Sequence, residues 1–265
     1  LPEIQSRLQR AFERCRVENR AALIPFMSAG HPSPEEGDRV LAMLAEAGAD
    51  VIELGVPFSD PLADGPTIQL ASQRAIERGV DLAWSLEALR RFRARYDTPV
   101  VLFSYLNPVF DYGVERFIAD AVEAGADGVL LTDLPVGADA ELEALFAASP
   151  LELIRLIAPT TAPERAREIA AAARGFIYYI SRTGVTGADA AVAEGLEAEV
   201  AALRAIAPVP VAVGFGIAGA ESARRVAAVA EGVVVGSALV DLLAREGVDA
   251  AGAMVRSLRA AMQRN

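Results

Sequence analysis

At 265 residues and 27.9 kDa the chain has room for one large core, the usual size of an eight-fold β/α barrel. A formal net charge of −11 excludes a general nucleic-acid or membrane surface, because both partners are polyanions that need a basic stripe. All 25 basic residues are Arg and none is Lys, which excludes Schiff-base chemistry; one His and one Cys make a His/Cys zinc site implausible, so no metal is expected.

The leading stretch LPEIQSRLQRAFERC alternates apolar and charged residues at helical spacing and lacks the continuous apolar core of a signal peptide. No apolar run reaches the roughly 18 residues a membrane helix needs, so the chain reads as soluble and cytoplasmic. From there short β-rich runs alternate with longer helical patterns. Strands are predicted at 22–29, 51–56, 100–105, 129–132, 153–157, 176–181, 211–214 and 233–235. Between and after them lie helical patterns at 34–47, 67–78 with 82–95, 114–124, 138–148, 163–173, 195–205, 220–230 and 247–262. Several strands are nearly continuous apolar runs, as expected of strands buried on both faces. EAGADVIEL at 46–54 and EAGADGVLL at 123–131 echo one another, each ending a helix at a glycine, Gly48 or Gly125, and passing straight into a strand. No linker or shift of composition divides the chain. The prediction is one (β/α)8 TIM barrel over 1–265 with an additional N-terminal helix; an open doubly wound sheet is disfavoured because no GxGxxG follows the first strand.

In such a barrel the site is built from loops at the C-terminal ends of the strands. After the second strand comes IELGVPFSDPLADGP, with Glu53 inside an apolar strand and Asp60 and Asp64 in the loop. A charge in a buried strand needs either a paired Arg or a raised pKa, and the second is what a general acid requires. Asp60 and Asp64 are also good turn formers, and spacing alone does not rank them. Three glycine-bearing segments follow the last three strands: SRTGVTGA at 181–188, VGFGIAGA at 213–220 and VVGSALV at 234–240. Loops after strands seven and eight, with a short extra helix that Ser237 would begin, are the recurrent phosphate site of these barrels. His31, in SAGHPSPEE, reads as a solvated or capping residue. Phe26, Phe103, Leu130, Ile157, Tyr178 and Phe215 either wall a pocket or fill the barrel.

IELGVPFSDPLADGPTIQ, the SRTGVTGA loop, VGFGI and VVGSALV, in that order over essentially the whole chain, resemble the alpha-subunit family of tryptophan synthase. The resemblance implies retro-aldol cleavage of indole-3-glycerol phosphate with no cofactor in this subunit. It makes Glu53 the general acid/base and Asp64 the carboxylate that stabilises the ring N–H, and assigns Asp60 to a subunit-signalling loop. Tyr178 and Thr186 would contact substrate or its closing loop, and Phe26, Phe103, Leu130 and Phe215 would line the indole pocket. Gly187, Gly214, Gly216, Gly236 and Ser237 would hold the phosphate. Phe103 departs from the aliphatic residue common in the family and implies a narrower pocket. The resemblance also implies a beta subunit carrying pyridoxal phosphate in an αββα heterotetramer, facing Asp60 and the PTIQ and YLNPVFDYG segments. Two other phosphate-binding barrels fit less well: indole-glycerol-phosphate synthase needs a Lys, and the phosphoribosylanthranilate isomerases pair a Cys with an Asp, whereas Cys15 lies in the leading helix.

Overall fold

The computed structural model describes residues 5–181, 190–214 and 216–264, with the side chains of 190–194 excepted. Eight parallel strands close into a barrel in sequence order: β1 (Ala22–Ser28), β2 (Ile52–Gly55), β3 (Val100–Ser104), β4 (Gly128–Leu131), β5 (Glu152–Ile157), β6 (Ile177–Ile180), β7 (Val211–Gly214) and β8 (Gly232–Val235). β8 pairs back onto β1 through Ala22 with Gly232 to Pro25 with Val235.

Because strand side chains alternate, the barrel sorts its apolar residues into two groups. Ile24, Val51, Val101, Leu130, Ile154, Phe176, Ala212 and Val234 point inward and pack on one another. Leu23, Ile52, Leu102, Val129, Leu153, Ile177, Val211 and Val233 belong to the outer core between sheet and helices. This is why both faces read as apolar in the sequence.

Helix α1 (Arg7–Val17) seals the N-terminal end of the barrel: Leu8, Ala11, Phe12 and Cys15 join the inward cluster, and the rings of Phe12 and Phe176 lie 5.7 Å apart. Ser6 starts it with a capping box, its Oγ accepting from Gln9 N while Gln9 Oε1 accepts from Ser6 N. The Cys15 thiol, pushed up to about 12 mainly by burial, is inert there.

The helices that follow are α2 (Gly37–Glu46), α3 (Pro66–Glu77), α4 (Leu82–Arg93), α5 (Leu106–Tyr112), α6 (Val114–Ala124), α7 (Ala140–Ala147), α8 (Pro163–Ala171), α9 (Ala190–Arg204), α10 (Ala220–Val229) and α11 (Ser237–Ala261). The short α5 lies in a stretch the sequence pattern did not mark as helical. α11 is broken at Gly247, whose φ of 82° interrupts it between the short helix expected at Ser237 and the longer one expected from 247. Among the described residues no helix is long and apolar enough to cross a membrane.

The EAGAD echo is explained by its aspartates, whose role the sequence reading missed. Asp50 and Asp127 are both buried. Each takes an amide at the start of the preceding strand: Asp50 Oδ2 accepts from Leu23 N at 3.0 Å, and Asp127 Oδ2 from Val100 N at 2.8 Å. Each also has guanidinium partners. Arg20, 2% exposed, grips Asp50 with two bonds of 2.6 and 2.7 Å, and Arg7 and Arg93 hold Asp127. Removing one member of a buried pair strands the other's charge. Arg20→Ala should therefore lower stability by about 3 kcal/mol or more in urea unfolding while leaving steady-state activity of the folded chain unchanged, since the pair lies at the end of the barrel away from the loops described next.

Candidate active site

At the C-terminal ends of the strands a cavity of about 480 Å³ opens into the barrel. Its lower wall is the inward face of the strands, its polar edge the loop after β2, and its far end the turns after β7 and β8. Phe26, Phe103, Leu156, Ile180 and Val234 supply apolar surface. Phe26 and Phe103 meet edge to face, with centroids 5.2 Å apart. Phe26 lies against Gly55, where a Cβ would fall 2.5 Å from its ring.

Glu53 sits in the middle of β2 with its side chain inward, between Phe26 of β1 and Val101 of β3 in register. It is fully buried and neither carboxyl oxygen has a hydrogen-bond partner among the described residues, so no described Arg forms the alternative salt bridge. Desolvation with nothing to offset it pushes its pKa up to about 8. At neutral pH it is a protonated acid facing the cavity.

Asp64 lies on the same cavity wall, in the loop after β2. A tight turn holds the loop, with Asp64 N donating to Pro61 O at 3.0 Å and Gln69 Nε2 to Asp64 O at 2.9 Å. Partial burial raises its pKa to about 6 against the opposing effect of a hydrogen bond from Tyr105. The two carboxyl groups therefore differ: one holds its proton at pH 7 and the other has lost it. Tyr178, on β6, is kept well above its ordinary pKa by burial and by both carboxylates, so it stays a donor.

The remaining predicted residues separate clearly. Gly216, Gly236 and Ser237 line the far end, where Gly236 precedes α11 and Ser237 is its first residue. A helix N-terminus there offers unsatisfied N–H groups and the positive end of its dipole to an anion. Gly214 does not line the cavity; a Cβ there would run into the Tyr178 hydroxyl, so its smallness makes room for that side chain. Leu130 is fully buried in the inward layer beside Phe103, its register partner on β3, rather than on the cavity wall. Ile157 faces the outer core, and its neighbour Leu156 takes the pocket position. Asp60 is exposed on the outer side of the loop, its Oδ2 accepting from Ser59 Oγ. Thr186, Gly187 and Phe215 lie outside the described residues. His31 is buried, not solvated: its Nε2 is 2.9 Å from Val240 O, and burial lowers its pKa.

Tyr105, Thr132, Leu156 and Ile180 were missed in the sequence. The signal was present as the two-residue period: Tyr105 follows Phe103, Thr132 follows Leu130 and Ile180 follows Tyr178 by two.

A model of the family described as tryptophan synthase alpha chain matches residues 12–264. The tryptophan synthase alpha chain of Geobacter sulfurreducens is 49% identical over 240 residues, 91% of either chain. That of Xylella fastidiosa is 51% identical over 238 residues, 89% of either chain. Among solved structures, tryptophan synthase subunit alpha of Legionella pneumophila superposes with a TM-score of 0.89 at 36% identity, covering 97% of this chain and 98% of that one. A chain of Mycobacterium tuberculosis tryptophan synthase gives 0.90 at 37%, covering 98% and 99%.

Proposed function

The chain belongs to the tryptophan synthase alpha chain family, and from that premise we infer how its cavity carries out the family's lyase reaction, cleavage of indole-3-glycerol phosphate to indole and glyceraldehyde 3-phosphate. The observation that carries the reading is the pair of unlike carboxyl groups on one wall, Glu53 protonated and Asp64 ionised at neutral pH.

The phosphate sits at the far end against Gly216, Gly236 and Ser237, and the indole lies between Phe26, Phe103 and Leu156, which brings its ring to the two carboxyl groups. Glu53 gives its proton to ring carbon C3. The ring nitrogen, still bearing its hydrogen, becomes an iminium whose positive charge Asp64 balances. Glu53, now a carboxylate, takes the proton of the hydroxyl on the glycerol carbon joined to the ring. The electron pair of that O–H bond forms the aldehyde carbonyl, the carbon–carbon bond breaks, and its electrons return to the ring to neutralise the iminium. Indole leaves with a new hydrogen at C3 and Glu53 is protonated again. A hydroxyl from Tyr178 orients the reacting end.

Indole passes to a beta subunit, which carries pyridoxal phosphate, in an αββα assembly. The exposed side chains of Leu62 and Phe110, in the loop after β2 and in α5, sit beside Asp60 and in the YLNPVFDYG segment expected to meet that partner. The whole chain acts as one barrel unit in the cytoplasm.

Steady-state indole release by the chain with its beta subunit, followed from pH 5 to 10, tests the reading. Activity should be bell-shaped in kcat/KM. The acid limb near pH 6 reflects Asp64 together with the substrate phosphate, and the basic limb near pH 8 the loss of the Glu53 proton. A rate that keeps rising beyond pH 9 would mean that Glu53 starts the reaction ionised, and would overturn the assignment.

A further inference from the structure

Tyr105 follows β3 immediately and continues its inward alternation from Val101 and Phe103. Its side chain is 6% exposed, and its ring packs on Phe58 with centroids 5.2 Å apart. The hydroxyl accepts a hydrogen bond from Ala63 N at 3.0 Å. It therefore keeps one hydrogen of its own to give, and the hydroxyl lies close enough to the Asp64 side chain to lower that carboxyl's pKa. One oxygen, rigidly placed by a buried ring on the barrel, thus grips the backbone at 63 and stands beside the side chain at 64 of a loop that otherwise runs over the surface.

We propose that Tyr105 is a positioning residue of the lyase reaction, whose hydroxyl fixes the loop after β2 and aims the Asp64 carboxylate into the cavity before substrate arrives. The proposal rests on the role given to Asp64 above. A phenol hydrogen bond favours the charged form of a carboxylate, so the same contact helps keep Asp64 ionised at neutral pH. Among the described residues the groups facing this pair are Glu53 on β2, Tyr178 on β6 and Thr132 just after β4. None of these brings a positive charge, and among the described residues Tyr105 is the side chain that opposes the desolvation of Asp64.

The test is Tyr105→Phe in the complex with the beta subunit, with Asp64→Asn alongside, measuring kcat and KM for indole release between pH 5.5 and 9. The ring and its packing on Phe58 are kept, so only the hydroxyl is lost. At pH 7 kcat should fall about 10-fold with KM little changed, and the acid limb should move up by about one pH unit while the basic limb stays in place. The ratio of variant to wild-type rate should climb with pH; the substrate phosphate titrates alike with both enzymes and cancels from that ratio. A ratio that is flat across the pH range, or a variant as fast as wild type at pH 6, overturns the positioning role. If Asp64→Asn itself keeps the wild-type rate, the assignment of Asp64 fails and the proposal with it. If Asp64→Asn is inactive but the Tyr105→Phe ratio is flat, the lyase reading stands and the proposal alone falls.

Discussion

Glu53→Gln should lower indole release by about 10²-fold or more, the scale on which general acid/base groups act, while the protein becomes more stable at alkaline pH. Gln keeps the shape of the side chain and removes the proton that must reach C3 and return. The stability gain follows from linkage. In the unfolded chain this carboxyl titrates near 4.5, and in the folded chain near 8. Below pH 4.5 both states hold the proton and Glu53 contributes no penalty. Between those values the unfolded chain releases a proton that the folded chain retains, so stability falls as pH rises, and above pH 8 the cost is complete at on the order of 5 kcal/mol. The variant should therefore gain on the wild type progressively through that window, as read by urea midpoints at pH 5 and pH 9. Glycerol 3-phosphate should bind both proteins equally, since the phosphate end is untouched. Near-normal turnover, or equal midpoints at the two pH values, would contradict this account of Glu53. On the proposed mechanism, a buried acid with no hydrogen-bond partner among the described residues is kept at a cost to folding because the reaction uses it.

Asp64→Asn should be the second severe loss, about 10²-fold in kcat with KM nearly unchanged, the cost of removing one electrostatic stabiliser of a developing charge. Asn keeps the size of the side chain and the loop's contacts, Ala63 N to Tyr105 among them, remain, so geometry is kept and the negative charge alone is removed. The missing charge is felt only when the ring becomes an iminium, which is why kcat falls and ground-state binding does not. Steady-state indole release together with a glycerol 3-phosphate isotherm separates these outcomes. A rate within about threefold of wild type would leave the iminium without the partner assigned to it.

The strands were legible because each is short, apolar and flanked by helical pattern, and all eight lie within two residues of their predicted positions. Glu53 was legible for the opposite reason, as the one acid within the predicted strand ranges. What escaped the sequence was which way each residue of an apolar run points. Ile157 and Leu156 are equally apolar, but only Leu156 faces the cavity, and that depends on the phase of the strand. Asp50 and Asp127 repeat visibly in EAGAD, but what they bind, an amide at the start of another strand, is set by tertiary pairing. His31 read as a surface residue because its loop is polar, and it is buried because α11 lies across it. Tyr105 was hidden by its ordinary place at the end of a strand; its importance comes from a loop forty residues earlier in the chain.

The seam where β8 meets β1 has a consequence for biosynthesis. Pairing of Ala22 to Pro25 with Gly232 to Val235 joins the first strand made to the last, so the outer edge of β1 has no strand partner until almost the whole chain has left the ribosome. A mature ring presents no free edge, but every incomplete precursor has two, each able to recruit a neighbouring chain. A chain stalled or truncated before residue 232 should accordingly aggregate, and slow synthesis of the last segment would prolong the interval in which a chaperone must shield the nascent half-barrel.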